Sequence, residues 1–167
     1  MRIHKTEIPD LFLIKPDVYE DYRGTNFEAY NKVAYMDAGM YPMPEFVVDS
    51  ISTSRKHVLR GIHGDDKTTK LVSCLYGTIF VAVIDNRYSS RTFRVYETFT
   101  LSDRNKHQLM IPPGCGNAHL VMSDECVFSY KLDQYYDRDS QFTIKWNDPM
   151  YDIPWPIKHP ILSERDR

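Results

Sequence analysis

The sequence predicts an all-β domain, a double-stranded β-helix (jelly roll) barrel with short peripheral helices. Short runs of Val, Ile, Phe, Tyr and Thr recur from end to end, separated by turn residues, as in double-sheet barrels. Only one segment has a helical pattern with start and stop signals. The 12 tyrosines and 8 phenylalanines among 167 residues suit a pleated, half-buried surface.

In chain order the expected strands begin with Leu11–Ile14, Asn26–Tyr30, Glu45–Ile51 and Val58–His63. Leu71–Leu75 follows, and Tyr76-Gly77 then reads as a hairpin turn into Thr78–Ile84. That last strand holds the longest apolar run, six residues from Ile79 to Ile84, which is strand length and far short of a membrane span. Thr92–Leu101 and Gln108–Ile111 come next, and Pro112-Pro113-Gly114 breaks the chain before Ala118–Met122 and Val127–Leu132. The helix is Asn31–Ala38, with Asn31 as cap and Gly39 as stop. From Trp146 onward Pro149, Pro154, Pro156 and Pro160 predict an irregular tail that wraps the barrel. Residues 1–167 thus read as a single domain without repeats or linkers.

Net charge is −2, so no basic field for nucleic acid is evident, and no segment suits a membrane. The N-terminus lacks the apolar stretch of a signal peptide. Cys74, Cys115 and Cys126 form an odd set without CxxC spacing, which argues against a disulfide framework or zinc knuckle and for a cytoplasmic location.

The stretch Val58 to Val72 places Arg60, His63 and Lys70 between runs that otherwise read as buried strand. Each must be solvated or paired if it faces the interior, so the grouping points to an anionic substrate and proton transfer. Arg60 and His63 are three apart and would sit on opposite faces of a regular strand. A bulge at Gly61 could bring both to one side. A lone histidine here is more often a satisfied strand residue; the company of Arg60 and Lys70 reverses that weighing.

A metal site of His63, Asp65 and His119 can be drawn, but the ligand spacing is wrong and Lys70 would repel a divalent ion, so none is expected. Proton chemistry fits better, with His63 as general base and a carboxylate, Asp166 or Asp65, fixing its tautomer. Tyr130 could act as the acid, although a core tyrosine is its plainer reading.

Several motifs recur in order in one known family. They are Arg23-Gly24-Thr25-Asn26-Phe27-Glu28, Val58-Leu59-Arg60-Gly61-Ile62-His63, Lys70-Leu71-Val72 and Ile111-Pro112-Pro113-Gly114. Phe128-Ser129-Tyr130-Lys131, Trp146-Asn147-Asp148-Pro149, Trp155-Pro156 and Leu162-Ser163-x-x-Asp166 complete the series. Together they resemble the dTDP-4-dehydrorhamnose 3,5-epimerase family of cupins. The resemblance implies a cupin barrel that epimerises a nucleotide-linked 4-keto sugar without metal or cofactor. It also implies a homodimer in which about the first 45 residues cross to the partner. By motif, His63 would be the base, Asp166 its dyad partner, Tyr130 the opposing acid and Lys70 the enolate stabiliser. Arg23, Glu28 and Arg60 would contact the nucleotide diphosphate or the sugar.

The chain departs from the family pattern in three places. Val48-Asp49-Ser50 replaces a Gln-x-Asn that reads thymine, and Asp49 could instead pair with guanine. The loop after His63 is short, beginning Gly64-Asp65. Asn117 stands where the family has a site histidine, with His119 two residues on along the same strand face, and both are candidate substrate contacts. This variant resembles epimerases of GDP-4-keto-heptoses in capsule pathways, the substrate expected here. The alternatives are a dTDP-4-dehydrorhamnose 3,5-epimerase proper, a non-catalytic sugar-nucleotide-binding cupin, and a related isomerase that moves the keto group.

Overall fold

Two antiparallel sheets face each other across the apolar interior. A computed structural model describes all 167 residues. One sheet has six strands in the order β1 (Arg2–Lys5), β2 (Phe12–Lys15), β10 (Gln108–Ile111), β7 (Lys70–Tyr76), β12 (Glu125–Leu132) and β5 (Val48–Arg55). The other has five, in the order β13 (Phe142–Thr143), β6 (Leu59–Gly64), β11 (Cys115–Val121), β8 (Thr78–Asp85) and β9 (Tyr96–Ser102). A separate hairpin joins β3 (Tyr19–Asp21) to β4 (Gly24–Asn26), and every residue of these two strands is exposed. The expected jelly roll is therefore present, with one short helix, α1 (Lys32–Asp37), and a terminal 3-10 turn at Glu164–Asp166.

The inner faces supply the core. Val72, Leu109, Ile111 and Phe128 from the six-stranded sheet meet Val81, Val83, Leu101 and Val121 from the other. Fully burying a side chain of this kind stabilises the fold by roughly 1.5–3 kcal/mol. β8 loses the usual alternation because its outer face is covered as well. Ala82 and Ile84 lie under Ile153, Trp155 and Leu162 of the C-terminal segment. Trp155 is pinned there by its indole N–H, which donates to the Trp146 carbonyl at 2.7 Å.

Local chemistry explains where the elements differ from the sequence reading. Asn31 caps α1 as expected, its side chain accepting from the Ala34 N–H at 3.1 Å, and Gly39 closes it at φ +97°. Tyr76-Gly77 is not a hairpin turn, since β7 and β8 belong to different sheets. It is a corner, and Gly77 is needed there because a Cβ would lie 2.2 Å from the Glu125 carbonyl oxygen. The strand expected over Asn26–Tyr30 ends at Asn26; Tyr30 instead packs edge-on against Phe46, with ring centroids 5.4 Å apart. The strand expected from Thr92 begins only at Tyr96. Buried Asp85 captures the preceding loop, accepting hydrogen bonds from Ser90 Oγ at 2.6 Å and Thr92 Oγ1 at 2.7 Å.

Candidate active site

A cavity of about 580 Å³ opens between the two sheets and is closed at one side by the C-terminal segment. β6 contributes Arg60 and His63. Between them β6 runs three residues while β11, from Asn117 to His119, runs two, so β6 carries one extra residue. This is the bulge expected at Gly61. Gly61 has φ +114°, and a Cβ there would sit 2.5 Å from the Asn117 carbonyl oxygen. Only glycine lets the two strands approach this closely, and the bulge turns both Arg60 and His63 into the cavity.

His63 Nε2 lies 2.7 Å from Asp166 Oδ1. Asp166 is buried, and its second oxygen accepts from Ser163 Oγ at 2.9 Å. The carboxylate is thus held on both sides. Of the two carboxylates proposed from sequence, Asp166 is the partner. Asp65 folds back on its own loop, accepting from the Lys67 and Thr68 backbone N–H groups. Burial lowers the His63 pKa below its ordinary value, and Arg165 and Lys70 push the same way against the pull of Asp166.

Opposite stands β12, whose Phe128, Tyr130 and Leu132 line the cavity on alternate residues. His63 and Tyr130 therefore approach from different sheets. Lys70, at the start of β7, donates to the His63 carbonyl at 3.1 Å and to Asn117 Oδ1 at 2.9 Å. Burial pushes its ammonium pKa down to about 8.

His119 stacks on Phe128 at 4.1 Å between ring centroids. Burial pushes its pKa down to about 3, with nearby Arg60 acting in the same direction. Its Nε2 is a buried polar atom without a hydrogen-bond partner in the protein. The potential metal ligands His63, Asp65 and His119 do not converge.

Arg23, Glu28 and Asp49 do not line the cavity, and for Asp49, expected to face the nucleotide base from β5, this is a correction. Asp49 alternates with Ser50 and Ser52, and only Ser52 reaches the cavity; strand parity turns Asp49 outward, where Lys131 Nζ donates to it at 2.5 Å. Arg23 sits on the exposed hairpin and pairs with Asp21 at 2.6 Å. Glu28 accepts from Asn31 Nδ2 at 2.9 Å.

The sequence reading missed Ser52, Ser163, Tyr136, Gln141 and Arg165, all of which line the cavity. Arg165 donates to Tyr136 Oη, Gln141 Oε1 and Thr143 Oγ1. Its neighbour Asp166 was the available signal. Arg60, with Ser54 Oγ at 3.0 Å, likewise has only neutral partners. Arg60, Lys70 and Arg165 thus form no ion pair, and Asp166 is the single carboxylate lining the cavity. The site holds a surplus of positive charge suited to an anionic ligand.

A jelly roll with a His–Asp pair facing a tyrosine across a cation-rich cavity defines a cupin of the sugar-nucleotide epimerase class. Residues 5–167 match the family described as dTDP-4-dehydrorhamnose 3,5-epimerase. The chain is 39% identical to the dTDP-4-dehydrorhamnose 3,5-epimerase of Shigella flexneri, with 99% of this chain and 93% of that protein covered. It superposes with a TM-score of 0.95 on the Bacillus anthracis enzyme of the same name, solved with TDP and PPi bound, at 33% identity over 99% and 96% of the two chains. The Legionella pneumophila dTDP-6-deoxy-D-glucose-3,5-epimerase, in complex with dTDP-4-keto-L-rhamnose, gives 0.91 at 37% identity over 99% and 89%. The chain belongs to the dTDP-4-dehydrorhamnose 3,5-epimerase family. No helix is long and apolar enough to cross a membrane.

Proposed function

We propose that this chain inverts carbons 3 and 5 of a dTDP-linked 4-keto-6-deoxy sugar, the reaction for which its relatives are named. The single observation that carries the reading is the His63–Asp166 pair facing Tyr130 across a cavity with three unpaired cations. The relatives favour this dTDP alternative over the GDP-heptose expected from sequence. Asp49, the residue invoked for guanine, is already engaged by Lys131.

In this mechanism the ionised Asp166 keeps the hydrogen of His63 on Nε2, leaving the Nδ1 lone pair free. Nδ1 makes no hydrogen bond within the protein, and His63 lines the cavity. It takes the proton from the carbon beside the ketone. The electron pair moves onto the ketone oxygen, where the Lys70 ammonium stabilises the enolate. Tyr130, on the facing sheet, returns a proton to the opposite face of the ring, and the stereocentre inverts. Arg60 and Arg165 hold the diphosphate. A pure binding protein needs no such base and acid, which weighs against the non-catalytic alternative.

The reading extends to a homodimer. The β3–β4 hairpin is wholly exposed, and β5 is an eight-residue strand at an open sheet edge. The hairpin of a second copy covering that edge would bring the partner's nucleotide-binding arm, Arg23 and Glu28 included, towards this cavity.

The test is proton exchange in heavy water with a panel of dTDP- and GDP-linked 4-keto hexoses and heptoses, followed by NMR. Deuterium should enter at carbons 3 and 5 of the dTDP-linked hexose. No incorporation with any panel member sinks the epimerase reading, and incorporation confined to a GDP-heptose overturns the substrate.

A further inference from the structure

We propose that Asn117 is a second donor to the enolate oxygen, held in register by Lys70. The inference rests on the epimerase reading and deepens it. An ammonium can donate but never accept, so the Asn117 atom 2.9 Å from Lys70 Nζ must be the amide oxygen. That contact fixes which way the amide points, and Nδ2 becomes its other end. Nδ2 has no hydrogen-bond partner in the protein, yet it is not among the buried unpaired atoms. Asn117 lines the cavity, so the Nδ2 hydrogens are open to a ligand there.

Counting donors on Lys70 leads to the same spot. Of its three N–H groups, two are taken by the His63 carbonyl and by Asn117 Oδ1. One remains for substrate. Lys70 and Asn117 therefore offer two adjacent donors at the cavity wall, an ammonium and an amide. Asn117 is also the cross-strand partner of His63 in the β11–β6 register, so the donor pair sits beside the base. A ketone oxygen gaining negative charge as His63 removes the neighbouring proton is the acceptor this arrangement fits.

Asn117→Asp keeps an oxygen for Lys70 but removes the N–H donors and adds a negative charge. Asn117→Ala removes both amide groups without adding charge, so the two variants are read together. With saturating dTDP-linked 4-keto-6-deoxy sugar in heavy water, each variant should lose about 10²-fold or more in exchange rate. Affinity for dTDP, which has no ketone, should stay close to that of the unmodified chain by calorimetry. Unchanged exchange in either variant would overturn the proposal, as would a fall in dTDP affinity matching the fall in exchange. Absence of exchange in the unmodified chain would instead count against the epimerase reading itself.

Discussion

His63 and Asp166 stand 103 positions apart in the chain, yet their side chains meet at 2.7 Å in the cavity wall. β6 brings the histidine, and a 3-10 turn beside the last residue brings the carboxylate. Ser163 holds that carboxylate from the other side.

Replacing Asp166 by Asn keeps the size of the side chain but removes the charge that keeps the proton on Nε2. We expect exchange to fall about 10²–10⁴-fold with little change in dTDP affinity. Single-turnover exchange and calorimetry on the same preparation would check this. A loss of less than tenfold would mean that His63 does not depend on the dyad.

Tyr130→Phe separates the two proton steps. Deuterium release from substrate labelled beside the ketone should persist, while inverted product should fall about 10²-fold or more. Equal losses in both would remove Tyr130 from the role of returning acid.

The pH profile of kcat/KM should be a bell. His63 must be neutral to act as base, and its pKa lies below the ordinary value because of burial, so activity survives into mildly acidic solution. Lys70 must be charged; its pKa is about 8, so activity falls as pH rises through that value. Lys70→Arg should move the alkaline limb upward in whatever activity remains, because guanidinium keeps its proton. A limb that stays near its original pH would assign it to another group.

His119 links acid solution to stability. Its folded pKa is about 3, below the 6.5 of an unfolded histidine, so the unfolded state binds the extra proton between those values. Stability should therefore decline as pH falls below 6.5, by at most about 1.4 kcal/mol per pH unit from this group. His119→Phe should flatten that slope while keeping the stack on Phe128. Urea unfolding at a series of pH values is the measurement, and an unchanged slope would count against the assignment.

Arg23 tests the dimer. Arg23→Ala should raise KM several-fold with kcat nearly unchanged, as expected for uniform binding by the partner's arm. Deleting the hairpin should yield a monomer by sedimentation. A dimer that survives the deletion, with KM unchanged in the alanine variant, would exclude the crossing arm.

Much of the fold is legible in local chemistry. Gln108–Ile111 appears as expected, the Asn31 cap and Gly39 stop bracket α1, and Val127–Leu132 lies wholly within β12. Strand β1 escaped because its residues, Arg2 to Lys5, are mostly charged; it is held by pairing with β2 rather than by burial. The site was legible as residue types: a histidine, a lysine and an arginine crowded into an apolar stretch, with a tyrosine and an aspartate elsewhere.

By itself the sequence determined the strand-rich pattern, the chemistry concentrated between Val58 and Val72, and the family. These are properties of neighbours along the chain, where side-chain alternation and turn residues act directly. Tertiary structure alone decided which groups meet. It chose Asp166 over Asp65, turned Asp49 away by one step of strand parity, and brought Arg165 into the wall. It also set Asn117 against Lys70, across 47 positions of chain. The reason is that two sheets and a docked C-terminal segment must close before these side chains share a cavity, and that closure depends on core packing far from any of them.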